Sequence, residues 1–104
     1  MSENQFDAPN ARSVAKTESA EGRRSILQIR IDILRVVGQG CGKPTQIMYK
    51  ANLSWNVLQA QLRSFVEGGM LEFEEYGSRR KYTITEKGNE VVRSYQNVVE
   101  EILG

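Results

Sequence analysis

Three groups of side chains in this sequence have the types and spacing to do chemistry. Asn56, Gln59 and Arg63 recur at the intervals that place side chains on one face of a helix. Two amides and a guanidinium on one face can bond base edges or phosphate oxygens, although such a face is also the ordinary polar side of an amphipathic helix. Arg79, Arg80 and Lys81 are consecutive cations beside Gly77 and Ser78. That concentration of charge suits phosphate, against the plainer reading of a solvated turn. Glu72, Glu74 and Glu75 form a carboxylate cluster, but Glu72 and Glu74 share the outward side of an alternating segment and imply no cleft. A solvated strand face accounts for them better than acid–base catalysis.

Other chemistry is thinly provided. There is no histidine, which removes histidine-based triads, histidine-ligated metals and the commonest general base. The one cysteine, Cys41, stands between Gly40 and Gly42 without a partner for a disulfide or a zinc cluster, which leaves a redox or metal sensor as a weak reading. No catalytic residue, metal or cofactor is expected, and the sequence does not read as an enzyme. Nothing in it specifies a small-molecule effector.

The elements that must position these groups fit one small domain. The chain has 104 residues, 39% apolar and 26% charged, which is ordinary globular usage. No apolar run approaches the roughly 20 residues of a membrane span, and the N-terminus lacks the apolar core of a signal peptide. A cytoplasmic protein without membrane contact is expected. The net charge of +1 hides an asymmetry: residues 22–68 carry seven Lys and Arg against two Asp and Glu, while both ends are acidic. A localised basic surface is what a phosphate-binding face needs.

Beyond Met1, residues 1–21 hold only Phe6 and Val14 as large apolar side chains, too few to offset the entropy of ordering, and are expected to be a disordered tail. A first helix is predicted over Arg24–Val37, with Ile26, Leu27, Ile29, Ile31, Ile33, Leu34, Val36 and Val37 giving a wide apolar face. Gly38 stops it, and Gly40 and Gly42 keep the chain turning. Lys43-Pro44-Thr45 opens a short helix that ends near Asn52, with Ile47, Met48 and Ala51 inward. Ser54 is the expected N-cap of a third helix, Trp55–Glu67, closed by Gly68-Gly69. On it Trp55, Leu58, Leu62, Phe65 and Val66 form one stripe. Trp55 is therefore expected to be partly buried rather than stacked on a ligand, and Tyr49 and Tyr76 to pack with only their hydroxyls outside.

A hairpin follows. Met70–Tyr76 and Lys81–Thr85 alternate, with Leu71, Phe73, Tyr82 and Ile84 inward and Gly77-Ser78-Arg79-Arg80 as the loop. Thr85 caps a last helix, Glu86–Leu103. Its Val91, Tyr95, Val98 and Ile102 follow a four-three-four spacing with Val92 and Val99 beside them, a seam that suggests a dimer rather than a helix covering only its own domain. A seam so short is marginal alone, so the first helix is expected to join the interface.

Helix, short helix, turn, helix, hairpin, helix is the order of a helix-turn-helix with a wing. The fold class is thus α+β and mostly helical: a winged helix-turn-helix of three helices, a two-stranded wing and a C-terminal dimerisation helix. The divisions are residues 1–21 (tail), 22–88 (winged domain) and 89–104 (dimerisation). The major groove, about 12 Å wide, admits one helix. The third helix would offer it Asn56, Gln59 and Arg63, braced from behind by Leu58, Leu62 and Phe65. Arg79, Arg80 and Lys81 would reach the backbone or a minor groove. Lys43, Thr45, Gln46 and Lys50 are phosphate candidates at the second helix, and Ser54 at the N-terminus of the third.

The stretch Ile47–Trp55, IMYKANLSW, resembles the IMY-ANLSY signature of an archaeal winged-helix family of small, abundant, dimeric DNA-binding proteins of Sulfolobus. Lys81–Gly88, KYTITEKG, is similar to the end of that family's wing. The resemblance covers residues 24–103 and implies a winged helix-turn-helix, double-stranded DNA binding and a homodimer joined by an antiparallel coiled coil of the last helix. The last helix stops at Gly104, short of the family's long arm, and the acidic N-terminal stretch is extra. A transcription regulator is thus as good an expectation as a chromatin-type protein. The alternative is a winged helix serving as a protein–protein interaction module in a transcription or repair complex.

Overall fold

The computed structural model describes residues 24–104, so the expected tail lies outside the described residues. The chain divides into two units after Arg30. In the first, the Ser25 hydroxyl accepts the Gln28 N–H at 3.0 Å, and Ile26 and Leu27 are exposed. Helix α1, Ile26–Gly38, begins there and continues into the second unit, starting and ending slightly later than the sequence pattern suggests.

The second unit contains the core. Pro44–Ala51 is α2, Trp55–Glu67 is α3, Leu71–Tyr76 and Arg79–Ile84 are the antiparallel strands β1 and β2, and Glu86–Leu103 is α4. Ile31, Ile33, Leu34 and Val37 of α1 meet Ile47 and Ala51 of α2, Leu58, Leu62 and Phe65 of α3, and Leu71 and Tyr82 of the hairpin in one buried set. A fully buried aliphatic or aromatic side chain is worth about 1.5–3 kcal/mol against exposure, so this set holds the helices in place.

Local chemistry sets the junctions. Asn52 ends α2 in the left-handed conformation, φ 58°, which asparagine tolerates better than most residues. Ser54 caps α3, its hydroxyl accepting the Val57 N–H at 3.3 Å. The Thr85 hydroxyl accepts the Gly88 N–H at 3.1 Å and donates to the Gly69 carbonyl at 2.6 Å. One side chain therefore caps α4 and ties it to the turn before β1.

The hairpin corrects the sequence reading. Tyr76 pairs with Arg79, so the turn is only Gly77-Ser78, with Gly77 at φ 63° as a tight two-residue turn requires. Arg79 and Arg80 are strand residues rather than loop residues. Their side chains consequently alternate between faces instead of forming one cluster. Pairing of Glu75 with Arg80 and of Phe73 with Tyr82 puts Arg80 on the inner face, whereas Arg79 and Lys81 share the outer face with Glu72, Glu74 and Tyr76.

Candidate nucleic-acid interface

Helix α3 presents two faces because its apolar residues recur at helical spacing. Leu58, Leu62 and Phe65 are buried, and this fixes the rotation of the helix. Asn56 and Arg63 then point into solvent, with Gln59 half-buried at the edge. The wing stands beside this face. Between them lies a cleft of about 1380 Å³. It brings together Lys43 and Thr45 from the start of α2, Gln59 and Arg63 from α3, and Arg79, Arg80 and Lys81 from β2. Gln46, Lys50, Ser54 and Asn56 are exposed but lie outside its lining. The sequence candidates thus form a main cleft group and a satellite group on α2 and the start of α3.

The cleft is basic with an aromatic floor. The Arg80 guanidinium lies over the Phe73 ring, 4.1 Å from its centroid, and the Phe73 and Tyr82 rings are 5.4 Å apart. Arg80 Nε donates to Glu75 Oε2 at 3.3 Å and Nη1 to the Tyr82 hydroxyl at 3.3 Å. The hydrogen bond to Tyr82 raises the Arg80 pKa; desolvation opposes it, and the charges of Tyr82 and Glu75 add lesser upward contributions. Arg80 is therefore a held cation with part of its donor set engaged. Arg79 and Lys81 take no side-chain hydrogen bond or ion pair among the described residues. Their ammonium and guanidinium groups remain available to phosphate oxygens.

Two aromatic expectations, for Tyr49 and Tyr76, are corrected, while Trp55 is partly buried as expected. Trp55 is 46% exposed, Tyr76 is 56% exposed, and Tyr49 is more exposed than either. Trp55 opens α3 about one turn before the buried Leu58, and helical phase buries it only in part. Tyr76 closes β1 at the turn on the outer face, and Tyr49 is on the solvent side of α2. Trp55 and Tyr76 both line the cleft, a part the sequence reading did not give them. The signal that could have found Tyr76 is its place next to the glycine turn and its arginines. The Tyr76 hydroxyl donates to Glu74 Oε1 at 2.5 Å. That hydrogen bond, and then the Glu74 charge, raise the phenol pKa above its ordinary value.

The arrangement is a concavity lined mainly by cations, with Glu67 among them, and flanked by a solvent-facing helix, which suits a polyanion. On α4 the apolar seam is left largely uncovered. Val98 is 55% exposed and Ile102 74%, while Val91, Val92, Tyr95 and Val99 are half-buried. Only Gly88 of this helix is buried. Arg35 of α1 lies over the Tyr95 ring at 5.8 Å. Among the described residues no helix is long and apolar enough to cross a membrane.

Comparison with known proteins agrees with this geometry. An uncharacterized protein of Methanocaldococcus jannaschii is 25% identical over 85 residues, 82% of this chain and 84% of its own. The structure of Sso10a-2, a DNA-binding protein from Sulfolobus solfataricus, is 29% identical and superposes with a TM-score of 0.56 over 78% of this chain and 98% of its own. A homodimeric winged helix-turn-helix DNA-binding domain from Mycobacterium bovis is 25% identical with a TM-score of 0.65, covering 75% of this chain and 73% of its own. The model of the winged helix-turn-helix family matches residues 23–102, and the chain belongs to that family.

Proposed function

We propose that this protein binds double-stranded DNA as a homodimer and serves as a transcription regulator or a chromatin-type protein on the nucleoid. The observation that carries the reading is the cleft whose lining includes Lys43, Arg63, Arg79, Arg80 and Lys81, beside the exposed face of α3. In this reading α3 enters the major groove. Asn56, Gln59 and Arg63 meet base edges or phosphates, and the wing follows the backbone into the adjoining minor groove. Lys43, Thr45, Gln46, Lys50 and Ser54 take phosphates at the starts of α2 and α3. Sso10a-2 and the Mycobacterium bovis domain support the reading, both being DNA-binding proteins of this fold and the latter a homodimer.

In the same reading residues 22–88 are the DNA-binding domain, and residues 89–104 join two copies through Val91, Val92, Tyr95, Val98, Val99 and Ile102. A terminal helix whose apolar band stays in water loses that cost when two copies pair. The test is fluorescence anisotropy of a labelled random duplex across a salt series. Each phosphate neutralised contributes about 0.9 to the slope of log affinity against log salt. A falling slope of several units is expected. Absence of binding at low salt would overturn the reading.

A further inference from the structure

We propose that the cleft between α3 and the wing also takes single-stranded DNA, with unpaired bases stacked on Trp55 and Tyr76 and the strand's phosphates on the surrounding cations. The inference rests on the nucleic-acid reading of the cleft and extends it from duplex to unpaired strands.

The rings are the reason. Trp55 at 46% and Tyr76 at 56% exposure stand at a cleft that also holds Lys43, Arg63, Arg79 and Lys81. A duplex keeps its base faces stacked on one another and offers this surface phosphates, sugars and groove edges. Cations and amides suffice for those. An indole and a phenol left in water gain little from phosphate, and keeping large apolar rings exposed is unfavourable. An unpaired strand has base faces to offer, and stacking of any base on a ring is favourable whatever the sequence. Basic groove plus exposed rings is the combination that single-strand binding uses.

The attachment of each ring is constrained. The Tyr76 hydroxyl donates to Glu74 Oε1 at 2.5 Å, which restricts the phenol on the outer face of the wing. Trp55 is the first residue of a helix capped by Ser54, so its backbone is fixed. In the same lining the Arg80 guanidinium lies on Phe73 at 4.1 Å as a flat, half-exposed cation, a further surface for a base. The volume of about 1380 Å³ exceeds the roughly 300–1,000 Å³ of a small-molecule pocket and suits a polymer segment. Glu67 also lines the cleft, so the cations do not act unopposed.

Trp55 is the only tryptophan in the chain, so its emission reports on this site alone. The full-length protein is titrated with a short oligothymidine, with a duplex, and with inorganic polyphosphate, each followed by tryptophan fluorescence. Saturable quenching by oligothymidine, absent with polyphosphate, is expected. Labelled strands then give affinities for the Trp55→Ala and Tyr76→Ala variants, with Trp55→Phe as the ring-conserving control. Each alanine variant is expected to weaken the preference for single strand over duplex by roughly 5- to 150-fold, the range of a lost base stack, and Trp55→Phe to keep most of it. No quenching by oligothymidine, equal quenching by polyphosphate, or equal loss on both nucleic acids would each overturn the inference. Duplex binding with no quenching by oligothymidine refutes this inference alone, while no binding to any DNA refutes the reading beneath it.

Discussion

Gly42 and Tyr82 meet backbone to backbone. The Tyr82 N–H donates to the Gly42 carbonyl at 2.8 Å, and a Cβ on residue 42 would run into the Tyr82 carbonyl. The segment entering α2 is thereby pinned to β2. The contact sets the position of Lys43 and Thr45 relative to Lys81, and so the width of the cleft at that end. The wing is positioned by main-chain atoms, which do not adjust their shape as a flexible side chain would.

Replacing Gly42 with alanine is therefore expected to destabilise the domain by about 1–3 kcal/mol, the usual cost of forcing a methyl group into a filled space. Urea unfolding reads this as a lower midpoint at unchanged slope. Gly40→Ala is the contrast. Nothing lies near its Cβ, but its φ of 100° strains any side chain, so its loss reports backbone conformation without a clash. An unchanged midpoint for Gly42→Ala would mean that the loop and the strand do not touch in solution.

Much of this was legible before the structure, for reasons that differ by element. The caps at Ser54 and Thr85 are local events within one turn of chain, and the stripe of Leu58, Leu62 and Phe65 fixes the rotation of α3 by periodicity alone. The placing of Arg79 and Arg80 was not legible. A four-residue loop and a two-residue turn are both compatible with the local sequence, and cross-strand pairing chooses between them. That choice turned a supposed cluster of three cations into one inward, stacked arginine and two outward cations. Trp55 has the phase of the core stripe and is partly buried, but as the first residue of α3 it keeps nearly half its surface exposed. Gly42 carries no local sign of its role, since its neighbour Tyr82 is remote in sequence.

The alternation of the wing separates its two arginines by experiment. Arg79→Ala should reduce the salt slope of duplex binding by about 0.9 per subunit that uses it, with stability within about 0.5 kcal/mol of the parent. Arg80→Ala should reduce the slope similarly and also lower the urea midpoint, because the stack on Phe73 and the bonds to Glu75 and Tyr82 go with it. If Arg79→Ala leaves the slope unaltered, the outer face of the wing makes no phosphate contact.

The Tyr76–Glu74 hydrogen bond has a pH signature. Its folded pKa is raised, first by the hydrogen bond and then by the Glu74 charge, so the folded state holds the phenol proton more tightly than the unfolded chain. The stabilisation is complete below the ordinary phenol value of about 10 and is lost as pH rises through the higher folded value. In a phenolate absorbance titration, Tyr76→Phe should remove a late-titrating component, and Glu74→Ala should move that component to lower pH. A Tyr76 component that titrates at the ordinary value in the parent protein would contradict the bond.

The seam on α4 gives the last prediction. Val98 and Ile102 are one helical turn apart and exposed, whereas the core positions Ile33, Leu58 and Phe65 are fully buried. Placing carboxylates at both positions, Val98→Glu with Ile102→Glu, should therefore leave the folded domain intact while forbidding two copies from burying the band, since each paired carboxylate would lose its water. Sedimentation should then find a monomer where the parent is expected to be a dimer, with near-parental helical circular dichroism. Duplex affinity should fall in the same variant, because two linked half-sites bind far more tightly than one through their effective concentration. A variant that stays dimeric would place the interface elsewhere. A parent that is already monomeric at binding concentrations would leave α4 without the role proposed for it and reduce the DNA-binding unit to a single α3 and wing.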